Sequence, residues 1–432
     1  MGNVRVLVES VAYKGYGVAR VDGKVVFVPY TVTGDEAWIE ITEEKKTYSI
    51  ARLIQMIKPS SGRVNPRCPY FGRCGGCQWQ HIEDSTQVER KKEILREILE
   101  RVGKLNEIPS IGVAPSSKPY DYRIRVQLKM KGKAMGYYEE RSHRIVDIER
   151  CPISHPLVNQ IIQNLRDQLS ALSCMEEVEI TVSPEEGRGA LSFYSHSHDQ
   201  GVESFIRDLL RSQPMVKGVA ITQEDGQHLT GDPSLNFTIA LSQEGEKREL
   251  RLRISPGSFS QVNPEQNQRL VQTVLQFSEI NQEDRIFDFY AGAGNLTLSL
   301  ATEGKEVLGI EGNRMAVRDA QFNAERNGIK NCQFIHGRAE EVLLDWKREP
   351  PDLVVLDPPR TGCKTILDQM VRLKPKKIIY VSCEPTTFAR DLRLFSEWGY
   401  FLQRLRLIDM FPQTYHTEVV GLLKPNEGDQ GV

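Results

Sequence analysis

Apolar and polar positions alternate in short runs over residues 1 to 58, the pattern of half-buried strands. The runs are Val4 to Val11, Gly17 to Val21, Lys24 to Pro29, Ala37 to Ile41 and Ser49 to Ile57. Asp22-Gly23 joins the second and third runs with the residue types that a two-residue hairpin turn demands. About five strands in so short a segment predict a small barrel of the oligonucleotide-binding kind. Residues 59–83 interrupt the pattern with Pro, Gly and Cys and read as a loop. The spacing then turns helical from Asp84 to Val102, with Val88, Leu95, Leu99 and Val102 on one face and Gly103 as the stop. Strict alternation returns from Tyr122 to Lys131. Tyr122, Ile124, Val126, Leu128 and Met130 face a core, and Arg123, Arg125, Gln127, Lys129 and Lys131 face away. So many cations on one outward row predict contact with a nucleic-acid backbone. Residues 150–254 mix strand and helix signals without a recognisable site. A helix follows Asn263-Pro264 to about Phe277, and from Arg285 to about Phe395 strands and helices alternate regularly. That alternation predicts an α/β, doubly wound Rossmann-like sheet. The expected organisation is a barrel over 1–58, a cysteine-rich loop over 59–83, a central α+β domain over 84–254 and a catalytic domain over 255–432.

At 432 residues, 39% hydrophobic and 26% charged, the chain can bury a large core divided among several domains. It has no run of about 18 apolar residues, and its first residues lack the basic-then-apolar layout of a signal peptide. The expectation is a cytoplasmic protein that does not enter membranes. A formal net charge of -2 supplies no global attraction to nucleic acid, so local patches must hold any polyanion. In a reducing cytosol the eight cysteines are not expected to form disulfides, and clustered ones point to metal or catalysis. Nothing in the sequence demands more than a monomer.

Candidate chemistry concentrates in the last third. The strand Arg285 to Phe289 runs into Tyr290-Ala291-Gly292-Ala293-Gly294-Asn295, a glycine turn that lets the backbone approach a ligand at the carboxyl end of a strand. A second strand, Val307 to Ile310, ends in Glu311, about 20 residues on, where a carboxylate can accept both hydroxyls of a ribose. The third glycine of a dinucleotide fingerprint is replaced by Thr297, which favours an S-adenosylmethionine site over a nicotinamide one. A further strand delivers Asp357-Pro358-Pro359-Arg360 to the same edge; Arg360 stands where enzymes that methylate adenine nitrogen have an aromatic residue. Cys383 ends the apolar strand that begins at Lys377, just before Pro385 and a helix over Thr386 to Phe395. A thiol there suits covalent attack, and the helix amino terminus is expected to lower its pKa. Such a thiol is needed when the methyl acceptor is carbon 5 of a pyrimidine, too weak a nucleophile until a thiolate has added to carbon 6. A base must then remove the proton from carbon 5, and Glu418, ahead of the apolar run Val419 to Leu423, is the candidate.

Ser382-Cys383-Glu384-Pro385, Asp357-Pro358-Pro359-Arg360, Phe259-Ser260-Gln261-Val262-Asn263 and His416-Thr417-Glu418 together resemble the RNA 5-methyluridine methyltransferase family. The likeness extends over nearly the whole chain. It implies a class I S-adenosylmethionine-dependent methyltransferase fold, with residues 1 to 58 as an RNA-binding TRAM barrel. It also implies Cys383 as nucleophile, Glu418 as proton acceptor, and Gln261, Tyr290, Asn295, Glu311 and Asp357 around the cofactor and uracil. Two positions depart from the family: Glu384 replaces the usual Asn, and Arg338 stands where some members have a polar residue facing the cofactor.

Cys68-x5-Cys74-x2-Cys77 lies on the glycine-rich loop, with Cys151 as the expected fourth ligand. Four thiolates suit either zinc or an iron-sulfur cluster, and the spacing does not choose. The resemblance implies a [4Fe-4S] cluster, as in the ribosomal-RNA branch of the family, and hence favours ribosomal RNA over tRNA as partner. Cys174, Cys332 and Cys363 are expected to pack as free thiols. The competing readings are an RNA cytosine-5 methyltransferase, which needs a second cysteine near the Pro-Pro motif, and a non-catalytic RNA-binding iron-sulfur protein.

Overall fold

The structure is a computed structural model describing residues 3–195, 200–224, 226–243, 246–344, 346 and 349–426. Six strands form the amino-terminal sheet: β1 (Val4–Leu7), β2 (Ser10–Val11), β3 (Gly17–Val21), β4 (Lys24–Val28), β5 (Glu36–Glu44) and β6 (Tyr48–Lys58), in the order β1-β5-β6-β4-β3-β2. The expected single run Val4 to Val11 is two strands. Val8 N–H donates to Asp35 O while Glu9 N–H donates to Val18 O, so the chain crosses from one neighbour to the other at this point. Because β1 and β2 are consecutive yet lie at opposite edges, the sheet closes into the expected barrel. Asp22 and Gly23 both have positive φ, 49° and 80°, as a type I′ hairpin requires.

Helix α1 (Asp84–Arg101) and strand β7 (Ile111–Ala114) follow. The buried face of α1 is Gln87, Lys91, Ile94, Leu95, Ile98 and Leu99, whereas Val102 is exposed. Apolar periodicity misplaces this face because two of its members are polar. Gln87 Nε2 donates to Gln413 Oε1 at 3.1 Å, and Lys91 Nζ to Asp409 Oδ1 at 2.7 Å.

The central sheet contains β8 (Arg125–Lys131), β9 (Ala134–Tyr138), β10 (Ile145–Asp147), β11 (Glu177–Ser183), β12 (Arg188–Tyr194), β13 (Val216–Gln223) and β14 (Gly226–Gly231), in the order β10-β9-β8-β11-β12-β13-β14. Helices α2 (Pro156–Arg166) and α3 (Gln200–Ser212) pack on it. Two of the outward cations of β8, Arg125 and Lys129, face carboxylates of the neighbouring strand, while Lys131 is exposed. Antiparallel β11 sets Glu177 opposite Lys129 and Glu179 opposite Gln127. Arg125 Nη2 lies 2.8 Å from Glu179 Oε2, and Lys129 and Gln127 both reach Glu177. Arg125 and Lys129 thus form half of a cross-strand ion-pair ladder. Two alternating strands with complementary outward charge neutralise each other, which neither strand reveals alone.

The hairpin β15 (Leu235–Gln243) and β16 (Glu246–Ile254) leaves this sheet and inserts Ile239, Leu241, Leu250 and Leu252 into the core of the carboxyl-terminal unit. That unit comprises α4 (Pro264–Ser278), β17 (Arg285–Phe289), α5 (Asn295–Leu300), β18 (Glu306–Glu311), α6 (Arg314–Arg326), β19 (Cys332–His336), α7 (Ala339–Leu344), β20 (Leu353–Leu356), α8 (Leu367–Val371), β21 (Lys377–Ser382), α9 (Pro385–Glu397), β22 (Tyr400–Ile408) and β23 (Glu418–Pro425). Its sheet order is β19-β18-β17-β20-β21-β23-β22-β7. The strands from β19 to β21 run parallel, and β23 is antiparallel to both its neighbours. Strand β20 enters the core as an unbroken apolar run, as strands covered on both faces do. The segment 84–254 therefore serves more than the central sheet: β7 extends the carboxyl-terminal sheet and α1 packs on α9. Among the described residues, no helix is long and apolar enough to cross a membrane.

Candidate active site

Strand order reverses beside β17, which places the turn after it where open α/β sheets bind ligands. Tyr290 (φ 68°), Gly292 (54°) and Gly294 (92°) all have left-handed backbones, so the chain folds back sharply into α5. The turn opens on a cavity lined also by Phe237, Leu252, Phe259, Ser260 and Asn267. Of the cofactor residues predicted from sequence, Gln261, Tyr290, Asn295 and Asp357 line it. Asn295 and Asn267 exchange two amide hydrogen bonds of 2.9 Å, which fixes both side chains. Glu311 is placed differently from these. Its carboxylate accepts from Gly292 N–H at 2.9 Å and Asn313 N–H at 2.6 Å, so it fastens the glycine turn to the end of β18. Arg338, the departure noted above, has its side chain 71% exposed and faces Glu340.

Two polar atoms facing this cavity are buried without a partner: Asp288 Oδ1 and Ser260 Oγ. Burial, with Asp357 and Glu311 nearby, pushes the Asp288 carboxyl up to about 7, although Thr297 Oγ1 donates to its other oxygen at 2.5 Å. The cavity thus has mainly apolar walls and uncommitted polar atoms, a lining suited to a nucleoside carrying a polar tail.

Cys383 follows β21 directly and is half-buried. Its environment raises the thiol, where the helix terminus was expected to lower it. Burial is the largest cause, then the Glu418 and Asp357 carboxyls, and together they overcome the Arg360 cation to push it up to about 12. Pro385 at the first turn of α9 removes one N–H that could have faced the sulfur. Glu418 opens β23 and is buried. Burial and Asp357 raise its carboxyl well above the usual range, against Arg360. Asp357, also raised by burial, connects the two halves of the site: it lines the cavity and is felt by both Cys383 and Glu418. Asp288 and the cationic role of Arg360 are not among the features predicted from the sequence. An acid inside the apolar strand Ile286-Phe287-Asp288-Phe289 was a visible signal for the first.

The other cysteines divide as follows. Cys363 is fully buried, with its Sγ–H 3.5 Å from Asp391 Oδ2, an acceptor shared with Tyr380 Oη. Cys332 and Cys174 pack against hydrophobic cores. Cys68, Cys74, Cys77 and Cys151 lie close enough that the first three each feel the charge of Cys151. Their loop is docked on the central sheet by a bridge between Cys74 and Glu139, and Asn159 Oδ1 accepts from Cys151 N–H at 2.8 Å. Among the described residues, however, no group of His, Cys, Asp and Glu side chains is disposed to hold a metal ion.

The chain is similar to known proteins over nearly its whole length. A family model described as tRNA (Uracil-5-)-methyltransferase matches residues 83–426, and another, the TRAM domain of tRNA (uracil(54)-C(5))-methyltransferase, matches residues 4–61. A Pectobacterium atrosepticum protein named 23S rRNA (uracil(1939)-C(5))-methyltransferase RlmD is 35% identical over 99% of this chain and 94% of its own. An Aquifex aeolicus protein named only as an uncharacterized RNA methyltransferase is 35% identical over 98% of both chains. The fold is shared with the crystal structure of Pyrococcus abyssi tRNA (uracil-54, C5)-methyltransferase in complex with S-adenosyl-L-homocysteine. The TM-score is 0.77 at 24% identity, covering 97% of this chain and 99% of that one. By the match over most of its length, the chain belongs to the RNA (uracil-5-)-methyltransferase family and carries that family's TRAM domain at its amino terminus.

Proposed function

We propose that the protein methylates carbon 5 of a uridine in 23S ribosomal RNA, acting as a monomer, with Cys383 as nucleophile and Glu418 as base. The observation that carries this reading is the junction at Asp357, which borders the glycine-turn cavity and sits within electrostatic reach of both Cys383 and Glu418. S-adenosylmethionine, when bound in that cavity, supplies an electrophilic methyl group. Gln261, Tyr290, Asn295 and Asp357 would hold it, with Glu311 bracing the turn. The Cys383 thiolate adds to carbon 6, and the C5–C6 π electrons move onto the carbonyl oxygen at carbon 4. The enolate electrons would then form the bond from carbon 5 to the methyl group, while the sulfonium S–CH3 bond breaks and its electron pair stays on sulfur, leaving the thioether. The Glu418 carboxylate removes the remaining hydrogen from carbon 5 as a proton, and the electron pair left behind expels the Cys383 thiolate from carbon 6. Both groups act deprotonated and both are shifted upward, so the rate should rise with pH. Arg360 is the cation that favours both active forms.

The ribosomal substrate is supported by the relative named for 23S rRNA, with its 35% identity along nearly the whole chain. A cytosine-5 reaction is disfavoured because Cys363, the only other cysteine near the Pro-Pro motif, is buried on Asp391. We also propose that Cys68, Cys74, Cys77 and Cys151 hold a [4Fe-4S] cluster. A single zinc ion needs all four sulfurs at about 2.3 Å, whereas a cubane seats each thiolate on a separate iron and accepts wider spacing. Bound there, it would pin the cysteine loop to the central domain. Iron and acid-labile sulfide in anaerobically purified protein support the cluster; zinc alone refutes it. The function is tested by incubating the protein with 23S ribosomal RNA and tRNA transcripts and S-adenosylmethionine, then digesting to nucleosides. Mass spectrometry should find 5-methyluridine in the ribosomal transcript. Methylcytidine, or methylation of the tRNA alone, would overturn the assignment.

A further inference from the structure

Glu384, which follows the nucleophile, is bound to the amino-terminal barrel. Tyr13 Oη donates to Glu384 Oε1 at 2.6 Å across 371 residues of sequence, and Thr386 Oγ1 donates to the same oxygen at 2.7 Å. Glu384 N–H in turn donates to Ser382 Oγ at 3.2 Å. Both neighbours of Cys383 are therefore pinned, Ser382 by β21 and Glu384 by the barrel. The same tyrosine also meets the segment that leads to the base. Its ring stands edge-on to Tyr415, with centroids 5.6 Å apart at 84°.

The loop that carries Tyr13 is itself held firmly. Ala12 N–H donates to Tyr16 O at 2.7 Å, Arg90 Nε of α1 donates to Val11 O at 2.6 Å, and a Cβ on Gly15 would come within 2.5 Å of Trp79 Nε1. Burial and the Glu384 carboxylate raise the Tyr13 phenol, so it remains a donor wherever the enzyme works.

We propose that Tyr13 and Glu384 are positioning residues, a latch by which the barrel sets the loop of the catalytic thiol. On this account the barrel completes the active centre as well as reaching for RNA. The inference rests on Cys383 being the nucleophile, and its test has a readout that needs no RNA. A thiol misplaced by a fraction of an ångström loses reaction geometry while its substrate still binds.

The experiment uses full-length protein and the variants Tyr13→Phe, Glu384→Gln and Glu384→Ala. Adduct formation with 5-fluorouridine RNA at saturating RNA should slow about tenfold in Tyr13→Phe, with the RNA Kd within about twofold of wild type. Glu384→Gln keeps an acceptor for Tyr13 and should retain most of the rate, Glu384→Ala should not, and the Tyr13→Phe/Glu384→Ala double variant should be no slower than the slower single one. Without RNA, iodoacetamide should label Cys383 at a different rate in Tyr13→Phe than in wild type, read from the Cys383 peptide. A weakened Kd with an intact saturated rate would make Tyr13 an RNA contact and overturn the latch, as would wild-type values throughout. If wild type forms no adduct but its Cys383 labelling still depends on Tyr13, the latch stands and the methylation reading falls.

Discussion

Replacing Asp288 by Asn tests the electrostatics of the cofactor cavity through stability alone. Asp288 is buried, one of its oxygens has no partner, and its carboxyl is raised from 3.8 to about 7. A carboxyl whose pKa is higher in the folded state is bound to a proton more tightly there than in the unfolded chain. Its stabilising contribution is complete below the unfolded value and is lost as pH rises through the folded one. That rise corresponds to about 4 kcal/mol lost between pH 4 and pH 7, of which about 3 kcal/mol falls above pH 5. Asn cannot ionise, and its carbonyl can still accept from Thr297 Oγ1. Thermal unfolding of wild type and Asp288→Asn should therefore show the variant gaining about 3 kcal/mol relative to wild type from pH 5 to pH 8, equivalent to several degrees in Tm. Subtracting wild type at each pH cancels the titrations the two proteins share. A difference in Tm that stays constant across this range would refute the account and leave Asp288 with an ordinary carboxylate titration.

Other perturbations follow from the same geometry. Arg360→Gln removes the cation that lowers the Cys383 thiol; because Arg360 is exposed, the effect should be about one pKa unit. The tenfold loss of thiolate is partly offset by its greater nucleophilicity, so alkylation of Cys383 should slow about threefold between pH 7 and 9, and an unchanged rate would remove Arg360 from this role. Lys91→Met strands the buried Asp409 and should cost about 3–5 kcal/mol in urea unfolding, most of it recovered in Lys91→Met/Asp409→Leu; failure of the double variant to recover would mean that the pair itself supplies the stability. Glu177→Gln with Glu179→Gln frees Arg125 and Lys129, so RNA should bind more tightly at low salt with a steeper salt dependence, whereas unchanged binding would place RNA on another surface.

The parts of the fold that depend on local pattern were legible in the sequence. The Asp22-Gly23 turn, the helix after Asn263-Pro264 and the strand into the glycine turn all lie where their residues predict. Asn263 caps α4 by accepting from Gln266 N–H, and Pro264 tolerates the first turn, so two adjacent residues mark that boundary. What was hidden depends on partners far along the chain. Arg125 and Lys129 of β8 look free until β11 supplies its glutamates, and the buried face of α1 looks apolar until Gln87 and Lys91 find Gln413 and Asp409. The pKa of Cys383 belongs to this second group. Helix position is readable from sequence, but the thiol responds more to its burial and to Glu418 and Asp357, which other strands bring in. Glu384, a departure that sequence could register but not interpret, acquires a partner only when Tyr13 arrives from the barrel.

The central claim, covalent catalysis by Cys383 on a uracil, is tested most directly with target RNA in which 5-fluorouridine replaces the modified uridine. Fluorine at carbon 5 blocks the final proton removal, so methylated RNA should remain bonded to the enzyme through denaturing electrophoresis. Mass spectrometry should locate the bond on Cys383, with the complex dependent on S-adenosylmethionine, retained to some extent in Glu418→Gln and absent in Cys383→Ala. An adduct that persists in Cys383→Ala, or methyl transfer to uridine with no adduct from the fluorinated RNA, would contradict it.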